Sequence, residues 1–246
     1  VDASWASLAA GVDPDGSGPA LGMGFDAFAT IQAGIDAVAD GGTVNVNAGT
    51  YVESIHIVGK DITLQGQTGA VIQSPVTIPA ASTFTTSAAN KAVVYLNNTD
   101  STVDGFVIDG ASRGNGNYRF IGVAFYNAGG ALTNSIVKNV QENPFNGNQH
   151  GNAVYAYNTD GVAREVTVAN NQVFDFQKNG ITVNGANLTG HVNKNTVTCK
   201  GTTSITAENG IQIGYGAAAT LQGNTVSGCS FHLAGNAWAW GAAGVL

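Results

Sequence analysis

Two short phrases recur along the chain at intervals typical of a stacked repeat. The first is a turn with an asparagine that leads into an apolar strand. It reaches Val154, Ile181 and Ile211 at intervals of 27 and 30 residues, with a fourth copy at residues 235–238. The second phrase, Asn-x-Ile/Val, begins at Asn134, Asn171, Asn195 and Asn224. Because repeats of 20–50 residues indicate solenoids, the interleaved phrases predict coils of two or three short strands joined by tight corners.

The corner residues and the composition agree with such a coil. Asparagine tolerates left-handed backbone, so asparagines of successive coils are expected to stack into hydrogen-bonded ladders. Of the 246 residues, 43% are hydrophobic and 10% are charged, with no compositional break. We therefore predict one domain over residues 1–246. A β-sandwich with Asn-Gly hairpins is the alternative, but it explains the turns without their paired recurrence.

The N-terminal part has a different period. After a lead-in segment, residues 1–24, a helix is predicted over residues 25–41, with Asp26 as N-cap and Gly41-Gly42 at its end. Its apolar residues fall at helical spacing: Phe28, Ile31, Ile35 and Val38. Coils are predicted over residues 43–246. An amphipathic helix laid across the first coil would cover the open core and the strand edge.

The segment after this helix carries a family resemblance. Residues 42–51 read Gly-Thr-Val-Asn-Val-Asn-Ala-Gly-Thr-Tyr, and this phrase, preceded by a helix, resembles the pectin-lyase-like superfamily over about residues 25–230. The resemblance implies an all-β fold, a right-handed parallel β-helix with an N-terminal capping α-helix. It also directs attention to the sheet face on which enzymes of this fold bind extended polysaccharide.

Strand alternation predicts which side chains occupy that face. The inward set is Ala92, Val94, Leu96, Ile121, Val123, Val154, Ala156, Ile181, Val183, Ile211 and Ile213. The alternate positions, Val93 among them, then point outward, and the predicted ligand-binding residues are Tyr95, Asn97, Tyr126, Tyr155, Tyr157, Asn184 and Gln212. Exposed tyrosines beside amides suit a sugar chain. The alternative is that the tyrosines cover an outer sheet or pack under a long loop.

Catalytic patterns of the superfamily are incomplete. Asn98-Thr99-Asp100 and Asn158-Thr159-Asp160 match the first galacturonase tripeptide, but the other galacturonase, pectate lyase and epimerase phrases are absent. A secondary group comes from the turns that lead into the tyrosine strands: Tyr118, Arg119, His150, Lys178 and Glu208. It contains a base, a cation and an acid, which β-elimination requires. A solvated turn of mixed charges is the alternative.

Three further features stay open. Trp238 and Trp240 lie on one side of a strand and either plug the C-terminal end or extend the aromatic platform. Asp13 and Asp15 resemble half of a calcium loop, although a turn shaped by proline and glycine is the simpler interpretation. No other cofactor is expected. Cys199 and Cys229, each after an Asn-Thr-Val triplet, form either a disulfide or a pair of buried thiols.

The charge and the hydropathy of the chain limit the classes of partner that it is expected to bind. A net charge of −7 argues against nucleic acid and against polyuronates, and the absence of a long apolar run argues against a membrane span. We expect a noncatalytic carbohydrate-binding module, similar to β-helix modules that bind xylan and part of a larger, secreted or cell-surface bacterial enzyme. The alternatives are a small polysaccharide lyase or epimerase and a structural surface-protein solenoid.

Overall fold

The computed structural model describes residues 1–232 and 242–246. The chain is all-β and forms three sheets of seven strands, in which neighbouring strands are parallel except for one antiparallel hairpin. Apart from the two strands of that hairpin, consecutive strands along the chain belong to different sheets, so most turns of the chain add one strand to each sheet. This arrangement is consistent with the predicted parallel β-helix.

The 21 strands of the described residues divide equally among the three sheets. Sheet 1 contains β1 Thr43–Val46, β4 Thr63–Gly66, β8 Asp100–Asp104, β11 Gly129–Thr133, β14 Arg164–Ala169, β17 Leu188–Asn193 and β20 Ala218–Gln222. Sheet 2 contains β3 Ile55–Val58, β6 Thr83–Thr85, β7 Ala89–Asn97, β10 Phe120–Tyr126, β13 Asn152–Tyr157, β16 Asn179–Asn184 and β19 Asn209–Gly214. Sheet 3 contains β2 Gly49–Val52, β5 Ala70–Gln73, β9 Val107–Asp109, β12 Ile136–Lys138, β15 Gln172–Phe174, β18 Thr196–Thr203 and β21 Thr225–Phe231. The helices are α1 Ile31–Ala37 and the 3-10 helices Ala3–Ser7, Ala80–Ser82 and Gly114–Gly116.

The strand register confirms the first repeated phrase. Val154 pairs with Ile181, and Ile181 pairs with Ile211, as the sequence intervals require. The asparagines that precede these strands also align, and the Asn209 amide donates to Asn179 Oδ1 at 3.0 Å. The copy at residues 235–238 lies in the segment that the structure does not describe.

The second phrase is in register at three of its four copies. Asn171, Asn195 and Asn224 stack in one ladder, buried at Asn171 and Asn195, with amide-to-amide distances of 3.0 Å at both steps. The alignment of Asn134 with them is wrong, since Ser135 occupies this position and its N–H donates to Asn171 Oδ1 at 2.9 Å. Asn134 instead has a φ of 50°, because it takes the left-handed corner position just before the ladder.

The predicted helix is present but shorter. It begins at Ile31, not at residue 25, because its first N–H groups have acceptors there: Glu53 Oε1 and Oε2 accept from Ile31 and Gln32 at 2.8 and 3.0 Å. Thr30 is the N-cap. Asp26, predicted as the cap, accepts from the N–H of Leu21 and Gly22 instead.

The helix packs against the first strands of two sheets. α1 contacts β1 of sheet 1 and β3 of sheet 2, and it buries Ile31 and Ile35. The Lys60 ammonium donates to the carbonyl oxygens of Ile35 and Val38 near the helix C-terminus. Side chains flanking β3 therefore hold both ends of α1.

Two consecutive side chains point inward in the strands of sheet 2, which strict alternation does not predict. Val93 and Val94 both belong to the central core. The prediction of Val93 as outward and of Ala92 and Ile121 as inward is therefore wrong, because Ala92 and Ile121 pack in a separate cluster on the outer face. Gly122 occupies the position of Val93 in the neighbouring strand β10 and also faces inward, because a side chain there would press on Val137 in the core.

Cys199 and Cys229 form a disulfide between two neighbouring strands of sheet 3. The strands β18 and β21 pair in parallel, with a shift of register between Thr198 and Gly201. Of the two interpretations that the sequence left open, the covalent one holds. Within the described part of the chain, no helix has the length and apolar character needed to cross a membrane.

Candidate functional site

The tyrosines predicted to bind sugar lie on the outer face of sheet 2, in two columns that run across the strands. The first column is His56, Tyr95, Ala124, Tyr155, Thr182 and Gln212. The second column is Val58, Asn97, Tyr126, Tyr157, Asn184 and Gly214. Neither column contains Asp, Glu, Lys or Arg. Apart from His56, the two columns therefore consist of uncharged polar, aromatic and small apolar residues.

A hairpin covers the N-terminal half of this face. β6 pairs antiparallel with the start of β7, and its Phe84 side chain packs over the small Ala124. The Phe84 ring stacks on three tyrosine rings, with centroids 4.3 Å from Tyr126, 5.7 Å from Tyr95 and 6.4 Å from Tyr155. Phe84 is itself only 4% exposed, so the hairpin is a cover and not part of an open platform.

Tyr95 is consequently buried. Its exposed fraction is 7%, and the expectation that all four rings are exposed is wrong for this residue. The physical reason is that Tyr95 packs under the hairpin of β6 and β7, and packing under a loop is the alternative that the sequence left open. Burial raises the pKa of Tyr95 to about 12. Its partner in the second column, Asn97, donates its amide to the Tyr126 carbonyl at 2.7 Å and so ties two strands together.

The C-terminal half of the face is open. Tyr126, Tyr155 and Tyr157 are half-buried, and their rings are tilted to one another, with centroid distances of 6.5 Å for Tyr126–Tyr157 and 5.6 Å for Tyr155–Tyr157. Tyr215, which sequence reasoning did not select, follows β19 and is 76% exposed. Burial raises the pKa of Tyr155 to about 12, so its hydroxyl stays neutral. We name this set of four residues the open tyrosine face.

Two buried oxygens beside these rings have no hydrogen-bond donor. Thr182 Oγ1 and Asn184 Oδ1 are unpaired, although the two residues are only 1% and 4% exposed. Unpaired buried polar atoms are rare in folded proteins, and each calls for an explanation. The half-buried Gln212 shares the first column with Thr182.

The secondary polar group does not come together as one site. Arg119 donates to Thr86 Oγ1 and Ser87 Oγ in the turn of the hairpin, both at 2.9 Å. Lys178 Nζ donates to the Ala207 carbonyl at 2.8 Å. In the described residues, no ion pair joins Arg119, His150, Lys178 or Glu208 to one another. Each cation instead supports the backbone or side chain of a neighbouring loop.

His150 belongs to a buried cluster that the sequence did not reveal. Its Nε2 lies 3.3 Å from Glu142 Oε1, its Nδ1 accepts from the Phe120 N–H at 3.4 Å, and the Tyr118 ring packs edge-on against it at 5.1 Å. Burial lowers the pKa of His150, and the neighbouring Glu142 opposes this effect only in part. Because His150 is 3% exposed, this imidazole is enclosed and does not face a substrate.

Glu208 is also enclosed. Its Oε2 accepts from the Lys200 N–H at 2.6 Å, while Oε1 has no partner. Burial raises the pKa of Glu208 to about 7, against the opposite effect of Lys200. Burial lowers the pKa of Lys178. Its ammonium donates to the carbonyl of Ala207, the residue before Glu208, but makes no ion pair with Glu208. The base, cation and acid for β-elimination are thus present without a shared substrate position.

Two other expectations concern the ends of the chain. Trp238 and Trp240 lie outside the described residues. Asp13 Oδ1 accepts from the N–H of Asp15 and of Gly16 at 3.2 and 2.8 Å, and Asp15 Oδ2 accepts from Ala20 at 3.3 Å. These carboxylates therefore shape the lead-in turn, and residues 1–232 and 242–246 contain no cluster of three or more metal-binding side chains.

Comparisons with protein-family models, with curated proteins and with solved structures found no match to this chain.

Proposed function

We propose that the chain is a noncatalytic module that binds an extended, neutral polysaccharide on the open tyrosine face. The observation that carries this proposal is the group of three half-buried tyrosine rings, two of them tilted to Tyr157, in two columns that contain no Asp, Glu, Lys or Arg. Sugar rings stack their C–H faces on such aromatic surfaces, while their hydroxyls require neutral polar partners. The hydroxyls of these tyrosines and the half-buried Gln212 amide beside them are partners of this kind.

The strength of binding follows from the number of rings. Aromatic contacts contribute about 0.5–1.5 kcal/mol each beyond the buried area. Three such contacts with a few hydrogen bonds correspond to dissociation constants between about 1 mM and tens of µM. This range suits a module that keeps an attached enzyme near its substrate.

The net negative charge of the chain favours the binding of an uncharged ligand. The net charge of −7 repels polyuronates at moderate salt, which favours xylan or another uncharged glycan as the first probe. The proposed setting is a secreted or cell-surface enzyme of several domains. The disulfide between Cys199 and Cys229 supports this setting, because disulfides persist mainly in oxidising compartments.

We also propose the hand of the coil and the role of its N-terminal helix. We take the coil to be right-handed, since parallel crossover connections have this hand in about 98% of cases. We take α1 to close the N-terminal end of the core, in the manner of the pectin-lyase-like superfamily. Its contacts with the first strands of sheets 1 and 2 support this role.

Affinity gel electrophoresis on a panel of soluble glycans, xylan first, tests the function. Native protein should be retarded, and Tyr155→Ala combined with Tyr157→Ala should abolish the retardation because two of the three stacking rings are lost. Tyr118→Ala is the matched control, since Tyr118 is 59% exposed and its ring packs against His150, not against the tyrosines of the face. Unchanged mobility of the native protein on every glycan would leave the structural solenoid as the function, and formation of unsaturated products from a uronate polymer would establish a lyase.

A further inference from the structure

The two columns of the outer face define a direction for a bound chain. Tyr126 and Tyr157 are register partners on neighbouring strands, as are Thr182 and Tyr155. Neighbouring strands are about 4.8 Å apart. A glycan that stacks on successive rings therefore runs across the strands, along the direction in which the coils stack.

The hairpin of β6 and β7 obstructs this path at one end. Phe84 lies over Ala124, between Tyr95 and Tyr155 of the first column, and it stacks on Tyr126 of the second column. A chain that continued beyond Tyr126 toward Tyr95 would have to occupy the volume of the Phe84 ring.

The hairpin is held firmly and is not a movable cover. Its pairs are Thr83 with Lys91, Phe84 with Asn90 and Thr85 with Ala89. The Asn90 amide bonds within the turn, to Thr86 Oγ1 and to the Ala88 carbonyl at 3.0 Å each. Arg119 and Lys91 connect the hairpin to the next coil, through Thr86, Ser87 and the Gly116 carbonyl. Removing it would break these bonds and expose an aromatic cluster.

The opposite end of the face has no comparable obstacle among the described residues. Gly214 follows Asn184 in the second column and has no side chain there. Tyr215, the next residue, is 76% exposed. Among residues 1–232 and 242–246, the face is thus closed at Phe84 and not at β19, beside which residues 243–246 continue the sheet.

We infer that the module recognises the end of a polysaccharide chain, with the terminal sugar against the hairpin of β6 and β7 and the following sugars over Tyr157 toward Tyr215. This inference rests on the proposed function and adds the part of the polymer that is bound. Phe84 is then a specificity-determining residue, because it excludes internal segments that would have to continue past it.

Competition with one polysaccharide before and after fragmentation tests this inference. Mild hydrolysis that increases the number of chain ends per gram about tenfold should lower the mass concentration needed for half-maximal competition about tenfold, because only ends bind. For binding to internal segments, the same mass would compete equally well or less well after fragmentation, and this result would overturn the inference while leaving the function intact. If neither preparation competes and no glycan retards the protein, the proposed function itself fails.

The same competition experiment with Phe84→Ala provides a second test. Opening the path over Ala124 should remove the dependence on chain ends, so that intact polymer and fragments compete equally per gram. Phe84→Tyr is the matched control and should retain the preference for ends. Thermal unfolding of both variants checks that they are folded, and the fragmentation experiment on the native protein stands without either variant. Retention of a full preference for ends in folded Phe84→Ala would contradict the role of this residue.

Discussion

At the scale of single residues, Glu208 is a buried acid that does not pair with a cation. Its side chain is 1% exposed and one of its oxygens has no hydrogen-bond partner. The pKa of about 7 lies above the model-compound value of 4.5, because burial disfavours the charged form. The folded protein therefore binds more protons than the unfolded chain between about pH 4.5 and 7.

Glu208→Gln is expected to change the pH dependence of stability. In the native protein, the contribution of Glu208 is fully present below pH 4.5 and is lost as the pH rises through about 7. The shift corresponds to about 3 kcal/mol. Urea unfolding from pH 5 to 8 should show a flatter profile for Glu208→Gln, which should be the more stable protein at pH 8. Glu165→Gln is the control, since the Glu165 side chain is 77% exposed. Parallel profiles for native protein and Glu208→Gln would contradict the assignment.

At the scale of elements, the asparagine ladder joins three successive coils. The Asn195 amide donates to the Val168 carbonyl and to Asn224 Oδ1, and its Oδ1 accepts from the backbone and side-chain nitrogens of Asn171. Asn195 is buried, with 1% exposure. Four hydrogen bonds thus fix one corner between sheets 1 and 3.

Asn195→Ala should destabilise the protein strongly. The substitution leaves the Val168 carbonyl and the Asn171 N–H without partners, and each such buried group costs about 1–3 kcal/mol. We expect a loss of about 2–6 kcal/mol in the free energy of unfolding, measured with urea. Asn193→Ala, on the half-buried outer face of sheet 1, should change it by less than about 0.5 kcal/mol. Similar losses for the two variants would show that the ladder has no special role.

At the scale of the whole molecule, each coil contacts only its neighbours, so stability is expected to be a sum of local contributions. The disulfide connects β18 to β21 and closes a loop with a sequence separation of 30. Its effect should therefore stay near the C-terminal coils.

Cys199→Ala combined with Cys229→Ala should lower the stability by about 3–4 kcal/mol, since the cross-link no longer restricts the unfolded chain. Hydrogen exchange should become faster in β18–β21 and stay unchanged in β1–β4. Reducing agent should reproduce this pattern in the native protein and have no effect on the double variant. Faster exchange over the entire chain would contradict a local effect.

Much of the architecture was predictable from the chain alone, because it depends on local periodicity. The spacing of Val154, Ile181 and Ile211 equals the length of one coil, and asparagine at the corners predicts the ladder. Outward positions such as Tyr126 and Tyr157 follow from the two-residue period of a strand. The N-terminal helix was visible in outline, but its start depends on Glu53, which is distant in the sequence.

What only the tertiary structure decided is which part of the outer face is free. Phe84 and Tyr126 are separated by a full coil in sequence, and their contact depends on the small Ala124 beneath Phe84. The same holds for Ala92 and Val93, whose directions reverse because a local irregularity turns two successive side chains inward. Sequence periodicity determines the coil and the direction of most side chains. Packing between segments distant in sequence determines which of them remain exposed, since that depends on contacts that no local pattern records.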